Sequence, residues 1–340
     1  MSDWLDRVFC EDALAGLQRI PDGSIDLILT DPPYNLGKDY GNASDRKSVD
    51  EFLAWTEQWV DAALPKLKDN GSLYVFTTWR SAPEIFVMLK RRMTMINEII
   101  WDRRVPSMGG TVRSFTSVHD TIGFFVRRKD YYFDLDAVRI PYDAETKKAR
   151  SRSIFVGAKW LEQGYNPKDL WSVSRLHRQH AERVDHPTQK PLEIIERMVK
   201  ASCPPGGVVL DLFMGSGTTA VAARNTGRHF TGFELNPDYC RITAERLAQL
   251  DAEPLPPAAA PQGSDPKARA AKRVPKPPAV GPQGSDPKAR GRAKVDAPVP
   301  GSDPGFLGAP PASAEVTVAA RKRAARKPAA KAAAATDSPE

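Results

Sequence analysis

Cysteine is scarce in this chain of 340 residues, and the three present, Cys10, Cys203 and Cys240, lack metal-ligand spacing. They read as reduced thiols of a cytosolic protein. No apolar stretch approaches the roughly 18 residues of a membrane span. The opening Met1-Ser-Asp-Trp-Leu-Asp has neither the basic start nor the apolar run of a secretory peptide. A soluble, cytoplasmic protein without a membrane partner is expected. Aromatics nearly vanish after residue 250, where Phe306 stands alone, while 17 of the 30 prolines lie there. Two copies of Pro-Gln-Gly-Ser-Asp-Pro-Lys-Ala-Arg begin at 261 and 282 in the same stretch. So little apolar surface cannot offset the entropy of ordering, and residues 250–340 are expected to form a disordered Pro/Ala/Lys-rich basic tail.

The body lacks an excess of either charge. Residues 251–340 carry 15 Lys and Arg against 9 Asp and Glu, and the rest of the chain carries 34 against 33. Most of the formal charge of +7 therefore sits in the tail. A near-neutral body would bind nucleic acid through a local basic face, and residues 128–185, with 12 basic and 9 acidic side chains, are the candidate.

What the body does have is two strand-and-turn signatures. The run Ile-Asp-Leu-Ile-Leu-Thr ending at Thr30 reads as a buried parallel strand. It leads straight into Asp31, Pro32, Pro33 and Tyr34. Pro32 biases Asp31 toward extended backbone, and neither proline has an N–H to donate. Open α/β sheets place ligand chemistry in rigid turns at the carboxyl ends of their strands. One carboxylate, backbone carbonyls and one aromatic face suit a planar ring bearing an amino group. Four residues alone could equally be a tight turn and nothing more.

The second signature begins some 180 residues later, with Gly-Val-Val-Leu-Asp-Leu-Phe-Met-Gly-Ser-Gly-Thr-Thr over residues 207–219. It reads as strand, glycine turn and helix. Gly215 and Gly217 allow backbone angles and close ligand approach that a Cβ would block. A further strand ends at Glu234, 17 residues past Gly217, where a ribose-binding acid closes the second strand of a nucleotide-binding unit. Position 220 is Ala and the loop has no Lys, so a nucleoside cofactor without phosphates fits better than a dinucleotide.

Together, Asp-Pro-Pro-Tyr and Asp-Leu-Phe-Met-Gly-Ser-Gly-Thr-Thr resemble the motifs of S-adenosylmethionine-dependent amino-methyltransferases of DNA. A third element, His186-Pro-Thr-Gln-Lys-Pro191, resembles the segment those enzymes use at the methionine end of the cofactor. The order of the three motifs is that of the circularly permuted β class, and the similarity spans about residues 4–249. The resemblance implies a Rossmann-like methyltransferase fold over residues 1–249. This is an α/β, doubly wound, mostly parallel seven-stranded sheet, with a loop-rich target-recognition region inserted at about 128–185.

It also implies S-adenosyl-L-methionine as cofactor and double-stranded DNA as partner, in a bacterial or phage setting near the nucleoid. The expected reaction is site-specific transfer of a methyl group to adenine N6 by base flipping and direct in-line displacement, with no covalent enzyme intermediate. Asp31 and the Pro32 carbonyl would hold the amino group, with Pro33 stiffening the turn and Tyr34 stacking on the base. Cofactor contacts fall on Asp12, Thr188, Gln189, Lys190, Asp211, Phe213, Gly215, Ser216, Gly217, Thr218 and Glu234. For Asp12, starting a helix is a competing reading. Asp in the first motif position is typical of N6-adenine enzymes. N4-cytosine methylation, and an inert DNA-binding protein on this fold, stay open as alternatives. So do two partners, a second copy of the chain and a cognate restriction endonuclease.

Between the motifs, residues 50–68 have helical spacing, with Phe52, Trp55 and Trp59 read as a core stripe, ending near Asn70-Gly71. Strands are expected at 73–78, 96–101 and 121–127, a helix at 83–93, and a mobile loop at 35–49 that closes over the target. Arg103, Arg104 and Arg113 flank a glycine-bearing loop that could clamp phosphates or equally be a solvated charged loop, and Arg175 and Arg178 sit in the recognition region. His177 and His180 lack a third ligand, so no metal is expected.

Overall fold

The computed structural model describes residues 3–37, 45–105, 113–150 and 158–252. The expected tail (apart from residues 250–252), the centre of the 35–49 loop and residues 106–112 of the arginine-flanked loop lie outside the described residues. Among the described residues, eight strands form one sheet: β1 (Arg7–Phe9), β2 (Ile25–Thr30), β3 (Leu67–Thr77), β4 (Thr94–Asp102), β5 (His119–Val126), β6 (Leu170–Ser172), β7 (Val208–Asp211) and β8 (His229–Phe233). Across the sheet they run β1-β8-β7-β2-β3-β5-β4-β6. From β1 to β3 the neighbours are parallel. Strand β5 enters antiparallel between β3 and β4, and β6 lies parallel to β4. The eighth strand, β6, is one more than expected. It comes from the region read as recognition loops, where Trp171 pairs with Trp101 and each indole donates to a backbone carbonyl at 2.7 Å.

The helices are α1 (Ala13–Gly16), α2 (Val49–Ala63), α3 (Ala82–Lys90), α4 (Ala144–Arg150), α5 (Ala158–Gln163), α6 (Leu192–Ser202), α7 (Thr218–Asn225) and α8 (Pro237–Ala252). Alternation along the strands sends apolar side chains to both faces of the sheet. Ile28, Leu73, Val75, Phe125 and Leu210 share one core with α2 and α3. Leu27, Leu29, Phe76, Phe124 and Val209 share the other with α6 and α7. Helices on both faces make the sheet doubly wound.

Helix α2 opens with a capping box, in which Ser48 and Glu51 satisfy each other's backbone N–H. It is shorter than its periodicity suggests. Pro65 has no N–H to continue the ladder, a single 3-10 turn follows, and Leu67 starts β3 instead of ending the helix. The polar residues between Leu67 and Ser72 bulge out of the pairing with β2, so Asn70-Gly71 is absorbed into that strand. The buried Asp26 carboxylate is held by the Lys68 ammonium, 2.8 Å from each oxygen, and by the Val208 N–H at 2.9 Å. One acid thereby ties β2 to both of its neighbours.

The pairing of β2 with β7 decides where a site can form. Leu27 stands beside Val209 and Ile28 beside Leu210. From β2 the chain leaves through α2 toward β3 on one side, and from β7 through α7 toward β8 on the other. Adjacent strands whose connections diverge open a crevice at their carboxyl ends. Both sequence signatures emerge there, side by side.

Candidate active site

A cavity of about 340 Å³ fills that crevice. Every expected cofactor residue except Gly217 lines it, as do the four residues from Asp31 to Tyr34. The Thr30 hydroxyl donates to Asp211 at 3.3 Å, joining the two turns at their roots. Phe52, Trp55 and Trp59 complete one wall against Phe213, with Trp55 and Phe213 ring centroids 5.4 Å apart. The aromatic stripe of α2 is thus cavity wall as well as core. The Trp59 indole N–H is buried without an acceptor among the described residues, which fits a wall that meets a ligand acceptor.

The glycine loop is held from three sides. Gly215 and Gly217 have φ of +52° and +80°, in the left-handed region that favours glycine. Glu234 accepts from the backbone N–H of Gly215 and of Asn236, both at 2.8 Å. Thr243 donates to the Gly215 carbonyl at 3.3 Å, and Arg246 to the Ser216 carbonyl at 2.6 Å. Thr243 and Arg246 lie three apart on one face of α8, and sequence reasoning missed both. Asp12 caps α1, accepting from Leu14 and Ala15 at 2.9 and 3.2 Å, while also facing the cavity. The helix-starting reading of Asp12 is therefore borne out.

At the other turn, the Tyr34 hydroxyl donates to one Asp31 oxygen at 2.6 Å. The Lys190 ammonium pairs with the other oxygen. Gln189 faces the cavity, but its amide is engaged by backbone: it accepts from Val184 at 2.8 Å and donates to Glu182 at 2.6 Å. Glu182 in turn accepts the Leu192 N–H at 3.0 Å, covering an exposed donor at the start of α6. His186 accepts from the Thr188 N–H at 3.3 Å. Asn35 closes the near end of the 35–49 loop with a reciprocal pair of hydrogen bonds to Lys47, at 3.0 and 2.6 Å.

Two buried groups titrate in opposite senses. Burial pushes the Asp211 carboxyl up to about 7, against the pull of the Thr219 hydroxyl and Phe213 N–H. Burial and then the Lys190 charge push His186 down to about 4. Asp211 binds its proton more tightly folded than unfolded, so its contribution to stability is full below about pH 4 and lost toward pH 7. The His186 contribution is present above its usual 6.5 and lost as pH falls toward 4. Asp211→Asn should therefore gain stability relative to wild type as pH rises from 4 to 7, by up to about 4 kcal/mol. Urea unfolding of both proteins across that range measures the difference, and a constant difference would contradict the assignment.

A second cavity, about 1180 Å³, opens beside the first. Arg80, Arg103, Arg175, Arg178 and Arg183 line it, and Asp120 is its one carboxylate among the described residues. Arg103, Arg175 and Arg178, read in two separate regions of the sequence as candidate DNA contacts, are thus brought together. Arg103 also pairs with Asp120 at 3.4 Å. Arg104 is turned away, donating to the Ser172 hydroxyl and carbonyl at 2.9 and 2.7 Å, and Arg113 is exposed and does not line the cavity. Arg80 and Arg183 were not anticipated. Arg80 follows the carboxyl end of β3, and that position was the signal that could have found it. Tyr34 and residues 188–190 line both cavities.

A doubly wound, mostly parallel sheet with a glycine loop at its switch point defines the Rossmann-like α/β class. Comparison with known proteins narrows it. A family model described as DNA methylase matches residues 25–245. The chain is 37% identical over 251 residues to the type II methyltransferase M1.MboII of Moraxella bovis, covering 69% of this chain and 94% of that protein. It is 35% identical over 243 residues to the type II methyltransferase M.HpaI of Haemophilus parainfluenzae, covering 71% and 74%. The DNA adenine methyltransferase YhdJ of Escherichia coli (strain K12) is 34% identical over 242 residues, covering 69% and 80%. Among solved structures, the cytosine-N4-specific PvuII DNA methyltransferase shares the fold with a TM-score of 0.55 at 20% identity, over 70% of this chain and 85% of that one. The chain belongs to the N6/N4 DNA methylase family.

Proposed function

We propose that this protein methylates the N6 amino group of adenine at a specific site in duplex DNA, using S-adenosylmethionine. The observation that carries the reading is the junction of the two cavities at Tyr34 and residues 188–190. A small pocket walled by aromatics and acids meets a large arginine-lined cleft at the turn that bears the acceptor carboxylate. The lining of the small pocket suits the cofactor: Glu234 and Asp12 would accept from its sugar and base donors, and aromatic faces suit a cationic sulfur. When bound, S-adenosylmethionine supplies a methyl group activated by that positive sulfur.

The chain's own residues do the rest. The large cleft takes the phosphate backbone through its guanidinium groups. An adenine leaves the stack at a cost of roughly a few kcal/mol. Its exocyclic amine is a poor nucleophile, because the lone pair is delocalised into the ring. Asp31 and the Pro32 carbonyl accept the two N–H groups and favour a lone pair localised toward the donor. Tyr34, its hydroxyl fixed on Asp31, presents its ring to the base. Alignment and exclusion of water are the main contributions. The adenine reading also draws on Asp as the first motif residue and on the similarity to YhdJ, itself named an adenine methyltransferase.

The test is tritium transfer from labelled cofactor to duplex DNA, followed by digestion to nucleosides and chromatography. Label in N6-methyladenine supports the proposal, and label in N4-methylcytosine overturns its base assignment. No incorporation with retained DNA binding favours an inert protein. Arg175→Ala with Arg178→Ala should weaken DNA binding across sequences and reduce the log–log salt slope by about 2, one for each phosphate no longer neutralised. Fluorescence anisotropy over a salt series measures the slope, and an unchanged slope would remove both arginines from the interface.

A further inference from the structure

We infer that Lys190 serves methyl transfer through Asp31, as the residue that holds the acceptor carboxylate in place, and not as a cofactor contact. The inference rests on the reading of Asp31 as the acceptor for the target amine. The Lys190 ammonium is ion-paired with Asp31, and its side chain is only 8% exposed. It also lies 5.3 Å from the Tyr34 ring centroid and 5.1 Å from that of Phe76, so aromatic faces occupy two further sides of the charge. A carboxylate on one side and rings on two others leave this ammonium committed to the turn.

The backbone behind Lys190 is equally fixed. Pro191 restricts residue 190 to extended geometry. The Gln189 amide is bound to Val184 and Glu182, and Glu182 to Leu192. The segment therefore presents Lys190 from a braced loop. At the turn, Tyr34 holds one Asp31 oxygen and Lys190 the other. A carboxylate torsion is otherwise broad and roughly two-fold. Gripped at both oxygens, it keeps one plane, and each oxygen retains a second lone pair for the base amine. Removing the ammonium frees that torsion and lets the acceptor swing away from the amine.

The experiment uses the full chain with Lys190→Ala and Lys190→Arg. It measures steady-state tritium transfer to duplex DNA, cofactor affinity by calorimetry and thermal melting. For Lys190→Ala the expected result is a loss in kcat of about 10²-fold, the scale of a misplacement of about 1 Å. Cofactor Kd stays at the wild-type value. Ethylammonium, filling the vacated space, restores part of kcat, whereas ethanol of similar size does not. A raised cofactor Kd with normal kcat at saturation, or equal rescue by ethanol, overturns the inference. Should Lys190→Ala melt too low to assay, Lys190→Arg decides: reduced kcat at unchanged Kd supports the role, and lost cofactor affinity refutes it. Absence of transfer by the wild-type protein would instead refute the methylation reading itself.

Discussion

Asp31→Asn should lower methyl transfer by about 10³-fold, the upper end of what one positioned hydrogen-bonding group is worth, while cofactor affinity stays unchanged. The argument is local. Tyr34 donates to one Asp31 oxygen and Lys190 pairs with the other. An amide can offer acceptor geometry on one side alone, so either the tyrosine or the lysine loses its partner. The amide NH₂ would also meet the base amine donor to donor. A second effect accompanies the first, because the buried Lys190 ammonium is left without its counter-charge. Breaking a fully buried pair costs about 3–5 kcal/mol. Asp31 is 21% exposed, so solvent screening moderates that penalty. Transfer is therefore measured well below the melting temperature of the variant, with calorimetric titration of the cofactor alongside. Equal loss of transfer and of cofactor binding would make Asp31 a structural residue.

The second large effect is expected at Gly217. An alanine there must adopt a φ of +80°, and its Cβ would lie 2.5 Å from Cγ2 and 2.6 Å from Oγ1 of Thr243. Left-handed backbone costs an L-residue about 1–2 kcal/mol. The steric overlap adds more, because Thr243 is fully buried and cannot swing aside. Any retreat of α8 also breaks the Thr243 bond to Gly215 and the Arg246 bond to Ser216. The loop then loses its shape. Cofactor affinity should fall by at least about 10-fold, equivalent to about 1.4 kcal/mol, with a lower melting temperature. Thr243→Ala in the Gly217→Ala background removes the two closest overlaps but leaves the residue-243 Cβ at 2.9 Å and the backbone strain in place, so rescue should be partial and the two changes non-additive. Unaltered affinity in the single variant would show that the loop does not shape the pocket.

Much of this was legible in the sequence because strand, turn and helix signals coincide at each motif. The run ending at Thr30 and the glycine turn after Asp211 were recognisable as strand ends from composition alone. Their adjacency was not, since nothing local to either run specifies that Leu27 pairs with Val209. That pairing is a property of the whole sheet, as is the bulge that absorbed Asn70-Gly71 into β3. Lys190 and Asp12 show the same limit within the site. The motif carrying Lys190 resembled a cofactor segment, but the ion pair to a residue 159 positions earlier emerges only from the fold. Thr243 and Arg246 were invisible because a helix that braces a loop from behind carries no residue type peculiar to that task. Of the arginines, the position of Arg104 was not legible, because Ser172, which accepts from it, lies in an edge strand that the sequence did not announce.

The rims of the sheet bear on how copies of this molecule could meet. On one side the outermost strand is β1, three residues long. On the other, β6 covers just the end of β4, whose remaining length carries a register shift between Met95 and Asn97 and the acid Glu98. Short, kinked and charged borders of this kind resist strand-to-strand joining between molecules. Among the described residues the sheet therefore offers no long flat border for edge addition, which leaves helical surfaces and loops as the ground on which copies would meet.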